Sequence, residues 1–239
     1  MPHSQTDAQM ADSAFATHTE AAARLLSDAI LSGSVEPGSR LNIRDISGKT
    51  GIGATPIREA LANLAGRGLV TFSGQRGFRV VSVSREDLSA ILTARNVVER
   101  GALSLSIARG GEDWEVELVA SLHRLRMFTA NPPGEMQARI DAFERVHRRF
   151  HFALIAACGS DRLIDIYLDL YDQTRRYRAL MLRSGAGHHI AQEKHEALVQ
   201  HALARDEEGA LAALADHNGM LLEAIYGDRA GQGHSGDAG

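Results

Sequence analysis

Two histidines beyond the middle of the chain have a spacing that suits a metal ion. His147 and His151 are four residues apart in a segment with helical periodicity, so both imidazoles are predicted to lie on one helix face. Two imidazoles at this spacing can bind one divalent ion. His195 and His217 fall on two later predicted helices. Taken singly, each of these histidines is more typical of a core or surface position than of a metal ligand.

An arginine in the N-terminal third is placed where it could contact DNA bases. Thr55 is predicted to be the N-cap of a helix whose first residue is Pro56. Proline suits the first helical position because it lacks the N–H that would be unpaired there. Ile57 and Leu61 then recur at helical spacing and form a buried stripe. Arg58 points away from that stripe, near the N-terminal end that a recognition helix presents to DNA.

The elements around this helix complete a winged helix-turn-helix. A shorter helix with Asn42 as its N-cap is expected to end at Gly51, and Gly68 is expected to end the recognition helix. Residues 70–72 and 78–80 alternate apolar and polar side chains, which predicts a β-hairpin with a basic tip. A helix, a glycine turn and a second helix form the unit that enters a major groove.

The order of these motifs resembles the DNA-binding domain of the GntR family of transcription regulators. The motifs are PG-x-x-L from Pro37, G-I-x-x-T-P-I-R-E-A-L from Gly51, G-L-V from Gly68 and R-G-F-x-V from Arg76. The resemblance implies contact with DNA by Arg44, Thr55, Arg58, Arg76 and Gly77. The family often has an arginine where this chain has Ala54, which implies a different base preference at that position.

Charge is unevenly distributed along the chain. The whole sequence holds 26 Lys and Arg against 30 Asp and Glu, a net charge of -4 that would not by itself suggest nucleic acid. Residues 17–80 nevertheless hold 8 basic against 5 acidic side chains. The basic surplus therefore lies in the predicted DNA-binding domain. The single cysteine and the lack of a long apolar run predict a cytoplasmic protein without a membrane span.

The chain after Arg85 has helical periodicity and almost no strand signal. Breaks near Gly110, Asn131 and Gly159 divide it into about six helices, the last four predicted at 136–157, 161–183, 189–204 and 207–226. We therefore predict a mostly α protein with the domains 16–82, a winged helix-turn-helix, and 84–228, an all-helical bundle. Residues 1–15 and 229–239 lack apolar periodicity and are predicted to be disordered.

The helical half resembles the FCD effector domain found in the FadR branch of GntR regulators, over roughly residues 84–226. The residues that carry the resemblance are Arg95-x-x-Val98-Glu99, Phe150-His151-x-Ala153-Leu154, His195 and His217. It implies a divalent metal bound by an acid and three histidines, with a small carboxylate completing the coordination. His147 stands where the family has the acid, which implies the ligands His147, His151, His195 and His217. Four nitrogen ligands favour Zn or Ni.

The resemblance also implies arginines that bind the carboxylate effector. Arg95 can grip a carboxylate bidentately, but it can equally pair with Glu99 one turn later. Arg178 is a second candidate, although the alternative for the arginines at 175, 176 and 178 is a charged outer face. Glu144 could orient a ligand histidine, although a solvated glutamate is the simpler interpretation. Residues 148–158 and 171–178 resemble a glutarate-responsive branch of the family, which implies a dicarboxylate such as glutarate.

We therefore expect a DNA-binding transcription regulator that acts as a homodimer on a palindromic operator. It is expected to repress a catabolic operon and to respond to the carboxylate at the metal site. A metal-dependent enzyme that uses the same histidines is the alternative. Against it, Arg148 follows His147, so the H-E-x-x-H arrangement with its glutamate base is missing. A third interpretation makes the histidines structural and the bundle a dimerisation domain only.

Overall fold

The computed structural model describes residues 17–74, 76–132, 134–183 and 190–227. The chain divides into two compact units with the boundary between Ser82 and Val83. The termini that the sequence predicts to be disordered, 1–15 and 229–239, lie outside the described residues, and the predicted domain limits stay predictions. None of the described helices is long and apolar enough to cross a membrane.

The first unit combines three helices with a small sheet. Its elements are α1 (His18–Leu31), β1 (Arg40–Leu41), α2 (Ile43–Thr50), α3 (Ala54–Gly66), β2 (Val70–Ser73) and β3 (Gly77–Val80). Asn42 caps α2, since its side chain accepts a hydrogen bond from the N–H of Arg44. Gly51 follows α2 with a φ of 72°, a left-handed conformation that glycine adopts without strain.

The start of α3 differs from the sequence prediction. The helix begins at Ala54 with Gly53 as its N-cap, and no side chain caps it. Thr55 is therefore the second helical residue and not the cap, and Pro56 is the third. Proline is tolerated there because the N–H groups of the whole first turn have no intrahelical partner.

The wing is a three-stranded antiparallel sheet in the order β1-β3-β2. The predicted hairpin pairs Phe72 with Phe78 and Val70 with Val80. Strand β1 was not predicted from the sequence, because two residues are too short for an alternating pattern. It pairs Leu41 with Phe78. Leu41, Val70 and Phe78 are buried together with the inner faces of α1 and α3, so the sheet closes the core of this unit.

The second unit is an all-helical bundle of six helices within the described residues. They are α4 (Arg85–Arg109), α5 (Glu112–Ala130), α6 (Met136–Ile155), α7 (Asp161–Arg183), α8 (Ile190–Leu203) and α9 (Glu207–Tyr226). The prediction of a mostly α protein with a winged helix-turn-helix and a helical bundle is confirmed. The bundle core is continuous and apolar around Phe150, Leu154 and Leu198, which are fully buried. It brings the inner faces of α6, α8 and α9 together around a polar cluster.

Candidate functional site

Three helices bring the four histidines into one buried cluster. His147 and His151 come from α6, His195 from α8 and His217 from α9, and all four side chains are buried. One ligand atom from each lies within 4.8 Å of all the others. The structure therefore places all four residues of the predicted ligand set around one point.

The spacing of the cluster fits one ion. The Nε2 atoms of His151 and His217 are 3.0 Å apart. Imidazole nitrogens bind zinc at about 2.0–2.1 Å, so two ligands of one ion lie at most about 4 Å from each other. A movement of less than an ångström would bring the remaining pairs into that range.

In two of the rings, a neighbouring side chain contacts Nδ1, the nitrogen that points away from the cluster. Nε2 of these rings therefore faces the cluster. His151 Nδ1 lies 3.3 Å from Glu99 Oε1, and His147 Nδ1 lies 2.6 Å from the Tyr171 hydroxyl. Arg95 Nη2 lies farther from His151 Nδ1, at 3.5 Å. Because an ionised carboxylate only accepts, the closer contact with Glu99 favours the tautomer with the proton on Nδ1, which leaves Nε2 free to bind a metal. Within the described part of the chain, His195 Nε2 is buried without a hydrogen-bond partner. A metal ion would satisfy this atom, so the residues present fit the group.

Burial keeps the imidazoles neutral. It lowers the pKa of His147, His195 and His217 well below the usual value, and the positive charges of neighbouring rings or arginines act in the same direction. The pKa of His151 falls to about 4, because burial outweighs the hydrogen bond to Glu99. Neutral imidazole is the form that coordinates a metal.

Glu99 is the acidic centre of this site. It is fully buried and accepts hydrogen bonds from Arg95 Nε at 3.0 Å and Arg95 Nη2 at 3.2 Å. Burial would raise the pKa of Glu99, but the charge of Arg95 and the hydrogen bond with His151 lower it to about 2. Of the two roles expected for Arg95, the ion pair with Glu99 is therefore present, and it also lies beside the histidines.

Arg178 and Glu144 form a second buried pair. Arg178 donates to both carboxylate oxygens of Glu144, at 2.8 and 2.7 Å, and its guanidinium lies 4.1 Å from the centre of the Tyr171 ring. Two expectations are therefore wrong. Glu144 holds an arginine and not a ligand histidine, and Arg178 and Arg176 are buried instead of forming a charged outer face. A helix as long as α7 has an inner face, which sequence charge alone does not show.

A small cavity opens beside the histidines. It has a volume of about 40 Å³, and its polar lining comes from Arg95, His147, Arg178, His217 and Asn218. The apolar lining consists of Leu92, Phe143, Met181, Met220 and Leu221. A cavity of this size has room for a few water molecules. Both predicted effector-binding arginines therefore line the same cavity as two of the histidines.

The predicted DNA-contacting side chains lie at the surface of the first unit. Arg44 on α2, and Thr55 and Arg58 on α3, are exposed, as is Arg76 at the tip of the wing. Gly77 starts β3 with a φ of 72°, so glycine suits the turn. Arg58 and Thr55 occupy the first turns of α3, the part of a recognition helix that reaches base edges.

Three residues of the histidine site were not assigned to it from the sequence. The sequence indicates Glu99 only through the family resemblance and as a partner of Arg95, and it gives Tyr171 and Asn218 no role beside the histidines. Tyr171 orients His147, and Asn218 donates to Glu99 Oε2 at 3.0 Å. The adjacency of Asn218 to His217 was the one available signal for it. No local signal indicated that Tyr171 contacts a histidine, since it follows Tyr167 at ordinary core spacing.

Comparisons with known proteins agree over both units. A family model described as bacterial regulatory proteins, gntR family, matches residues 18–80, and an FCD domain model matches residues 90–219. The chain is 34% identical over 198 residues to the HTH-type transcriptional repressor GlaR of Escherichia coli K12, covering 81% of this chain and 89% of that protein. It is 35% identical over 197 residues to the uncharacterized HTH-type transcriptional regulator BphR of Paraburkholderia xenovorans LB400, covering 81% and 79%.

Solved structures show the same fold. E. coli McbR/YncC matches 89% of this chain and 98% of its own, with a TM-score of 0.73 and 22% identity. A putative GntR transcriptional regulator from Rhodococcus sp. RHA1 matches 87% and 97%, with a TM-score of 0.71 and 22% identity. The named relatives are transcriptional regulators, which supports the expectation of a regulator over that of a metalloenzyme.

Proposed function

Because this chain belongs to the gntR family of bacterial regulatory proteins and carries an FCD domain, we propose that it is a transcriptional repressor controlled by a metal-bound carboxylate. A relative of 34% identity that is named a repressor supports the sign of regulation. The observation that carries the effector part is the cavity that His147 and His217 share with Arg95 and Arg178. A repressor must reach its operator DNA, so the proposal includes action in the cytoplasm.

The first unit reads the operator in this proposal. Arg58 contacts base edges in the major groove, and Thr55 and Arg44 contact the same groove or its phosphates. Arg76 and Gly77 at the wing tip contact the adjacent backbone. One short recognition helix reads few bases, so a homodimer on a palindromic site is needed for specificity.

The four histidines hold the metal in this proposal, with His147 in place of the acid that the family often uses. Zinc or nickel is favoured because all four protein ligands are nitrogen. A divalent ion bound there supplies a positive centre that attracts a carboxylate oxygen. Glu99 and Tyr171 orient two of the rings by hydrogen bonds to their outer nitrogens.

Charge balance favours a dianionic effector. Arg95 and Arg178 are matched by Glu99 and Glu144, and the histidines are neutral, so these buried side chains at the site carry no net charge together. A divalent ion adds two positive charges, which a dicarboxylate neutralises and a monocarboxylate does not. This supports a dicarboxylate such as glutarate.

The two arginines are not equivalent as effector ligands. Arg178 uses all three guanidinium nitrogens, Nε and Nη2 on Glu144 and Nη1 on Thr174. The hydrogen bonds of Arg95 to Glu99 use Nε and Nη2, which leaves Nη1 for a ligand. Arg95 is therefore the better candidate for the second carboxylate, and Arg178 shapes the cavity.

Effector entry requires the bundle to rearrange. A cavity of about 40 Å³ holds a few waters and not a five-carbon diacid. The effector therefore binds an expanded arrangement more tightly than this one. A ligand shifts a conformational equilibrium only by such differential affinity, and typical couplings change the affinity of a second site about 5- to 150-fold.

Reciprocal titrations test the proposal. Zinc-loaded protein is titrated with glutarate by calorimetry in the presence and absence of operator DNA, and operator affinity is measured with and without glutarate. Linkage requires the two factors to be equal, and we expect both to show weaker binding. Identical glutarate affinity with and without operator would refute allosteric control, even if the acid binds well.

A further inference from the structure

Asn218 lines the cavity and holds a buried acceptor atom without a hydrogen-bond partner among the described residues. Its side chain is buried, and its Nδ2 donates to Asn96 Oδ1 at 2.7 Å and to Glu99 Oε2 at 3.0 Å. Its Oδ1 is buried and has no hydrogen-bond partner among the described residues. Burying a carbonyl oxygen without a hydrogen-bond donor costs desolvation free energy, so we expect a bound molecule to donate a hydrogen bond to this atom.

The orientation of this amide is fixed by its neighbours. Turning the amide over would place Oδ1 against Asn96 Oδ1 and the Glu99 carboxylate, which are both acceptors. Both hydrogens of Nδ2 are used in the present orientation. The unpaired atom of Asn218 is therefore an acceptor and not a donor.

The neighbouring His217 presents the complementary atom. Its Nε2 faces His151 Nε2 inside the histidine cluster, and its Nδ1 is buried without a partner among the described residues. When Nε2 is the metal-binding atom, the imidazole proton is on Nδ1, which is then a donor. His217 and Asn218 line the same cavity.

We propose that the effector is a hydroxy acid whose hydroxyl donates to Asn218 Oδ1 and accepts from His217 Nδ1–H. This inference rests on the proposed function, because it takes the acid to bind at the metal site. A hydroxyl is both donor and acceptor, and so it satisfies both atoms. A carboxylate only accepts and cannot pair with Asn218 Oδ1. An ammonium group only donates and would face the His217 N–H and Arg95.

Matched acids on the wild-type protein test the hydroxyl directly. Zinc-loaded full-length protein is titrated by calorimetry with succinate against malate, and with glutarate against each enantiomer of 2-hydroxyglutarate. In at least one pair, the hydroxy acid should bind about tenfold or more tighter than its parent, because the parent leaves buried polar atoms unpaired. The enantiomers should differ, since His217 and Asn218 are adjacent residues of one helix and can meet the hydroxyl of only one of them in the same way. L-Glutamate should bind more weakly than the preferred hydroxy acid.

Substitution then assigns the preference to Asn218. In Asn218→Leu the affinity ratio of hydroxy acid to parent acid should fall close to one. The control Glu223→Gln, at an exposed position of the same helix outside the cavity lining, should keep the wild-type ratio. Using a ratio cancels general damage to the pocket. The wild-type comparison remains decisive if Asn218→Leu does not fold.

The outcomes separate the two proposals. Binding of the parent acids with no gain from a hydroxyl would overturn this inference and leave the proposed function standing, with water as the partner of Asn218. A hydroxyl preference that survives in Asn218→Leu would also overturn it. Absence of binding by every acid to zinc-loaded protein would refute the proposed function and this inference together.

Discussion

Replacing Glu99 by glutamine should weaken both the fold and the metal site. Glu99 is fully buried, and it holds Arg95, His151 and Asn218 through hydrogen bonds of 3.0 to 3.3 Å. Glutamine has nearly the same shape but no charge, so Glu99→Gln leaves the buried Arg95 without a counter-ion. Removing one partner of a buried ion pair costs roughly 3 to 5 kcal/mol. The free energy of unfolding of the metal-free protein should fall by about that amount.

The effect on the metal follows from the imidazole proton. If the glutamine NH₂ replaces Oε1, it faces His151 Nδ1 and favours the tautomer with the proton on Nε2, which cannot bind a metal. If it replaces Oε2, it faces donors from Arg95 and Asn218 instead. Partners of metal-bound histidines are typically worth about 10- to 100-fold in metal affinity. Glu99→Gln should weaken zinc binding within that range.

Two measurements and a control decide the outcome. Urea denaturation of metal-free protein reports the free energy of unfolding, and competition with a chelator reports the zinc affinity. Glu117→Gln is the matched control, because Glu117 is exposed and pairs with Arg149 at the surface. It should change neither quantity appreciably. If Glu99→Gln and Glu117→Gln behave alike in both assays, Glu99 does not orient His151 and the reasoning fails.

Three further predictions concern DNA, metal and pH. Arg58→Ala should weaken operator binding by ~1 to 3 kcal/mol with little effect on binding to random DNA. The control Arg145→Ala on the bundle should change the affinity for neither DNA. An equal loss of affinity for both DNAs would make Arg58 a phosphate contact. Replacing His147 and His151 together by alanine should remove about one zinc per chain in elemental analysis while the first unit keeps its far-ultraviolet signal; zinc retained at the wild-type level would place the ion elsewhere. The ordinary histidine pKa is about 6.5, whereas the pKa of the buried His151 is about 4. Between these two values the unfolded chain binds more protons than the folded metal-free chain. The free energy of unfolding should therefore fall as the pH decreases from about 6.5 to about 4. A metal-free stability that is flat from pH 6.5 to 4.5 would show that the imidazoles are not buried in the neutral form.

The low histidine pKa values also bear on the pH dependence of metal binding. An unperturbed imidazole would begin to lose its metal below pH ~6.5 through competition with protons. Burial lowers the pKa of His151 to about 4, so protons compete in the folded protein only at more acidic pH. Retention of zinc at pH 5.5 by the folded protein would agree with burial.

The fold was accessible from sequence because its signals are local. Helical periodicity, glycine breaks and an N-cap at Asn42 depend on residues within one or two turns of each other, and the bounds of α7 and α9 agree with the prediction at both ends. Errors occurred where the local signal was ambiguous. Both Gly53 and Thr55 can precede a helix, and β1 is too short to show alternation.

The partners of the candidate site were decided only by tertiary structure. The i, i+4 spacing of His147 and His151 indicates a shared face, but it does not say which acid lies against that face. Glu144 has the right spacing on α6 and yet pairs with Arg178 on α7, whereas Glu99 reaches His151 from α4. These choices depend on how distant helices pack, and burial makes them selective, because a charge removed from water must find its partner within a few ångströms. The sequence by itself determined which residue types could bind DNA and metal. The packing of α4, α7 and α9 around α6 decided that a carboxylate, Glu99, and a phenol, Tyr171, contact the histidines and that the amide of Asn218 contacts Glu99.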